Sequence, residues 1–293
     1  MSGTRQYDPQ MIARIARMDE KKLHKLQQAV KWTVYTLLIV NFLFYFLEDM
    51  ERARHVLHGG STFLDWTSEF TTSIDELAWF VLLFMFELET YVLGDDEWTG
   101  WVAHVIHGAR LACYVMLAHT IFAYSDTVVD LVPTVPVEDA ATLCDLVDED
   151  LSYVHNLEYT EINAQTCAGL STSSQFYRVA DDPVVTDLDS LNLERDLAWA
   201  DLAEAIIWLV ILLAIEIIVR LQSRGVTGGA LISTLNRIKF LLYATLIAIG
   251  ICWAALSHWL YLWDELLWIG GFAAIEMNVS EWREELIEKG ETT

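Results

Sequence analysis

At 293 residues, 54% of them hydrophobic and 12 of them Trp, the chain carries apolar runs too long for an ordinary soluble domain. It reads as an all-α polytopic membrane protein. A net charge of −24 leaves no basic footprint for phosphates, which excludes nucleic acid as a partner. No Walker loop, dinucleotide fingerprint, nucleophile elbow or HExxH segment occurs, so the sequence points to no enzyme, cofactor or metal.

Residues 1–28 are polar and charged for too long to be the n-region of a signal peptide. Within them Pro9–Gln28 reads as an amphipathic helix, with Ile12, Ile15, Met18 and Leu26 on its apolar side. Its basic residues suit anionic headgroups, and docking to a cytoplasmic protein is the alternative use. Residues 29–124 then hold three expected transmembrane spans: Val30–Leu47, Asp75–Leu93 and Trp101–Tyr124.

Residues 125–197 form an acidic loop in which sixteen carboxylates against Arg178 and Arg195 leave −14. Such a segment is either a solvated acidic domain or a vestibule that concentrates cations. Cys144 and Cys167 both fall in it and are the candidate disulfide, while Cys113 and Cys252 lie in spans as small buried residues. VPTVP and DDPVV read as extended or turn segments.

Residues 198–282 hold three more spans, Ala198–Leu221, Ile238–Trp259 and Asp264–Trp282, followed by a tail at 283–293. The GGFAA of the last span suits close helix packing. Seven Lys and Arg lie up to Lys31 and four lie between Arg220 and Lys239. With Arg110, Arg283 and Lys289 they place 14 of 18 basic residues on one side. The positive-inside rule then makes both termini cytoplasmic and the acidic loop external, in a multi-pass protein of the cell (inner) membrane.

The even spans share one pattern of acid, three residues, Trp, seven residues, Glu. It reads Asp75–Trp79–Glu87, Glu204–Trp208–Glu216 and Asp264–Trp268–Glu276. Average residue usage predicts such a pattern about 0.1 times in a chain of this length. The odd spans carry a cation four residues before Tyr: Lys31–Tyr35, Arg110–Tyr114 and Lys239–Tyr243. Together these predict three repeated helical hairpins. Each outer acid and its Trp share a helix face, with the Trp in the headgroup belt. Each deeper Glu, about 18 Å further in, comes within reach of a cation and a Tyr hydroxyl.

Two functions follow. Intramembrane carboxylates at Glu87, Glu216 and Glu276 suit a cation or proton channel or transporter component. Alternatively, the Glu–Lys/Arg pairs are pins in a non-catalytic subunit of a membrane complex. The expected partners are the lipid bilayer, cations or protons, and further copies or other membrane subunits. The paired His55/His58 and His104/His107 fall on opposite sides and make no joint site, whereas Asn41 and Thr120 suit interhelical hydrogen bonds.

Overall fold

A computed structural model describes residues 9–91, 100–132, 135–138, 140–180, 182–223, 226 and 228–272. The described residues are mostly helical: α1 (Pro9–Val56), α2 (Phe63–Glu69), α3 (Thr71–Tyr91), α4 (Trp101–Asp130), α5 (Cys167–Leu170), α6 (Leu188–Ser223) and α7 (Ala230–Ala255). A further helical stretch covers 259–272.

Among the described residues, three helical segments are long and apolar enough to cross a bilayer: Gln28–Val56, Ala103–Asp130 and Ala230–Ala255. The expected count of six spans is therefore not supported. The apolar run of α3 is broken by Asp75, Glu76, Glu87 and Glu89, while α6 carries its own acids and runs directly out of the loop domain. The sixth expected span lies largely outside the described residues. Nor are three separate hairpins supported. Helix α3 packs on α4, across the proposed repeat boundary, and α4 also packs on α6. The amphipathic segment at 9–28 is no separate element, because α1 runs unbroken from Pro9 to Val56. Its side chains before 28 lie outside the described residues.

The chain divides into two compact units. One comprises residues 1–41 and 253–293, in which Asn41 Nδ2 donates to the Asp264 carboxylate. A side chain at Gly271 would meet Val34 at 3.7 Å, so the glycine permits close helix contact. Trp253 is enclosed there by His258 and Tyr261, with ring centroids 5.8 and 5.0 Å away.

The other unit, residues 42–252, contains a feature that the sequence did not predict. The acidic segment folds into a five-stranded sheet of β1 (Val135–Pro136), β2 (Ser152–His155), β3 (Glu158–Glu161), β4 (Phe176–Arg178) and β5 (Val184–Asp187). Its order is β1-β4-β5-β2-β3, antiparallel except for the β2–β5 pair. Side chains alternate across the sheet as the strand period requires. Tyr153, Phe176 and Val185 face a core with Leu143, Leu146, Leu151 and Ile162, stapled by the Cys144–Cys167 disulfide. Val154 and Val184 face the other way, onto Val56 at the end of α1. Leu131 just past α4, and Leu191 and Ala198 of α6, complete the seat between sheet and helices.

Candidate functional site

Between the sheet and the helix ends lies a cleft of about 460 Å³. Four separate regions acidify it. Helix α2 supplies Asp65 and Glu69, and the end of α4 supplies Asp126 and Asp130. The turn before β5 supplies Asp182, and α6 supplies Glu194 and Asp201. Against these seven carboxylates stand Arg52 and His58.

Each wall is held by identifiable bonds. Helix α2 begins at a capping box, in which Thr62 and Asp65 satisfy each other's backbone N–H groups. Arg52 donates to the Glu69 carboxylate at 2.9 Å and to Asp49 at 3.2 Å. Buried Asp49 also accepts the Ser73 N–H at 2.9 Å and its hydroxyl at 2.7 Å, tying α1 to α3. Helix α6 begins where Asp187, the last residue of β5, accepts the Ser190 N–H at 2.9 Å, as an N-cap does. The Tyr153 hydroxyl donates to the same carboxylate at 2.8 Å.

Glu194 closes the cleft on the sheet side. Its carboxylate, on a residue only 5% exposed, accepts the Leu157 N–H at 3.1 Å and the Asn156 N–H as well. Those two residues form the β2–β3 turn with φ of 54° and 62°, a left-handed pair that suits a two-residue hairpin but strains Leu157. Burial pushes the Glu194 carboxyl up to about 7. Burial does the same to Asp182, also to about 7, aided by the charges of Glu69 and Asp130 and opposed by His58. Burial likewise raises the Tyr159 hydroxyl, whose ring stacks on His55 at 6.0 Å.

The cleft floor adjoins further carboxylates. Tyr124 lies on it, 3.5 Å from the Thr72 hydroxyl, and Asp201, Asp75 and Asp49 all act electrostatically on the Tyr124 hydroxyl. Asp75 accepts from Trp79 Nε1 at 3.0 Å and hydrogen-bonds Thr120 of α4.

The residues singled out from sequence are placed as follows. Trp79, Trp208 and Trp268 are all buried within the protein. Trp79 packs on Trp208 with ring centroids 5.9 Å apart, and Trp208 on Tyr243 at 6.1 Å. An acid four residues before Trp therefore serves an internal hydrogen bond in α3. Glu216 pairs with Arg220 on its own helix and hydrogen-bonds the Tyr114 hydroxyl of α4. Arg110 acts on that same hydroxyl, but it stands nine residues into α4 and not at the helix start. Lys31 places its ammonium 5.8 Å from the Tyr35 ring centroid. Lys239 is buried on α7, and Glu204 lies on α6 near the cleft end. The Glu87 side chain and all of Glu276 lie outside the described residues. Cys113 is buried, but Cys252 is exposed.

The sequence reasoning missed Arg52, Tyr124 and every carboxylate of the cleft as members of one site. The available signal was the density of acids just beyond the apolar runs, after Leu47 and after Tyr124, and again from Asp187 onward where the acidic segment leads into α6. Among the described residues, no group of three His, Cys, Asp or Glu is arranged to hold a metal ion. Comparisons with family models, curated proteins and solved structures find no match to the chain.

Proposed function

We propose that the protein is an integral membrane component for cation or proton passage, with the acidic cleft as its collecting vestibule. The observation that supports this reading is the composition of the cleft: seven carboxylates from four regions of the chain face one guanidinium and one imidazole. The ionised acids of such a concave wall focus the field and raise the local concentration of counter-ions, while Asp182 and Glu194, pushed up to about 7, can take up or release a proton near neutral pH. Asp75, which with Asp201 acts on Tyr124, adds an acid beyond the seven of the cleft, and Glu216 lies further along α6. In this reading α3, α6 and the stretch from 259 cross the bilayer as the three apolar segments do. The termini are cytoplasmic, and the sheet faces outward from the cell membrane.

The test is cation and proton flux into liposomes holding the purified protein, compared with Asp201→Asn. Wild-type flux well above that of empty liposomes, cut at least several-fold by the substitution, is the expected result. Flux no greater than that of empty liposomes removes the transport reading. A second reading, a structural subunit, draws on Asp49, which pins α1 to α3 through the Ser73 N–H and hydroxyl. It predicts no flux and a loss of stability in Asp49→Ala.

A further inference from the structure

Helix α2 presents two unlike faces. Asp65, Ser68 and Glu69 line the acidic cleft. On the other side Phe63, Leu64 and Trp66 are 80%, 55% and 52% exposed. Large apolar side chains grouped in this way mark an interaction surface.

The attachments of α2 fix its level. Thr67 Oγ1 lies 2.9 Å from His119 Nε2 on α4, and the Phe70 ring packs on Phe46 of α1 at 5.9 Å. The Phe46 anchor lies where α1 changes from apolar to charged, and the His119 anchor lies on the apolar stretch of α4, seven residues before Asp126. After Leu47, α1 continues with Glu48, Asp49, Glu51 and Arg52, and after Tyr124, α4 continues with Ser125 and Asp126. Below those points the neighbouring surfaces stay apolar and exposed, with Leu43, Phe44 and Leu47 on α1 and Phe122 on α4. The bare face of α2 thus continues the face that two membrane-crossing helices offer to lipid. A charged face on one side with Trp, Phe and Leu on the other is the pattern of a helix lying in the headgroup layer. Trp in particular favours that layer.

We propose that α2 lies in the headgroup layer of the bilayer, with Phe63, Leu64 and Trp66 against lipid. This short helix then forms the lipid-contacting wall of the acidic cleft. The proposal rests on the membrane reading but not on transport.

Site-directed spin labelling in proteoliposomes tests it, in a Cys252→Ser background that keeps the disulfide. Nitroxides are placed at Phe63→Cys and Leu64→Cys, and at two reference sites. These are Leu43→Cys on the exposed face of α1 and Ser174→Cys on the exposed loop before β4. Relaxation by oxygen, which concentrates in lipid, is compared with relaxation by a water-soluble nickel chelate. The expected result is that labels at 63 and 64 follow Leu43→Cys, with oxygen favoured several-fold over nickel. Labels that follow Ser174→Cys while Leu43→Cys reads as lipid overturn the α2 assignment alone. Labels shielded from both reagents also overturn it, in favour of a protein partner or second copy. An aqueous reading at Leu43→Cys overturns the membrane reading itself.

Discussion

Glu194→Gln isolates one buried proton. In the folded chain the Glu194 carboxyl titrates at about 7 against an ordinary value of 4.5. Over that interval the folded state holds a proton that the unfolded state has already released. Stability is therefore fully supported below about pH 4.5, falls as pH rises, and levels off above about 7. At 1.36 kcal/mol per pH unit, the loss amounts to about 3 kcal/mol. Glutamine keeps an acceptor for the Asn156 and Leu157 N–H groups and carries no titrating proton. The variant should match the wild type near pH 4.5 and exceed it at pH 8. The gain at pH 8 is about 3 kcal/mol, because the value of about 7 already includes what the two N–H groups give the charged form. Thermal unfolding in detergent from pH 4.5 to 8 reads this difference, and amide exchange at Leu157 reads it locally. Parallel pH profiles for the two proteins would refute the assignment of a protonated Glu194.

Two further outcomes test the sheet domain. Replacing both Cys144 and Cys167 with Ser opens a loop of 23 residues. On the chain-entropy view this costs about 3 kcal/mol, seen as faster proteolysis within 140–187 while the helices stay protected. Asp187→Ala removes the acceptor for Ser190 N–H and for the Tyr153 hydroxyl. It should lower the unfolding free energy by about 2 kcal/mol, whereas Asp187→Asn, which still caps, should lose less than half of that.

The apolar segments were legible because hydropathy over about 20 residues is a strong signal. The disulfide was legible because Cys144 and Cys167 are the two cysteines of one polar segment. Other features were hidden for physical reasons. Strands of two to four residues in an acid-rich segment are too short to show alternation, so the sheet left no periodic trace. The spacing of Asp75 and Trp79 is the same whether the indole faces headgroups or donates inward, and only the packing of Trp79 on Trp208 separates the two. Glu216 and Arg220 stand four apart on one helix, a pairing that the search for cations on other spans passed over, while the expected Tyr114 does reach Glu216. The cleft draws its acids from segments up to 136 residues apart, Asp65 to Asp201, a distance that no local pattern spans.

The junction between β5 and α6 has a mechanical consequence. Strand β5 is the fully buried centre of the sheet, and it passes into α6 with no intervening linker. An axial shift of α6 by one turn, about 5.4 Å, would tear β5 from both β2 and β4. Helix and strand therefore act as one rod with the sheet as its fixed head. The opposite wall is held differently: α2 joins α3 through the single residue Phe70 and reaches α1 and α4 through side-chain contacts.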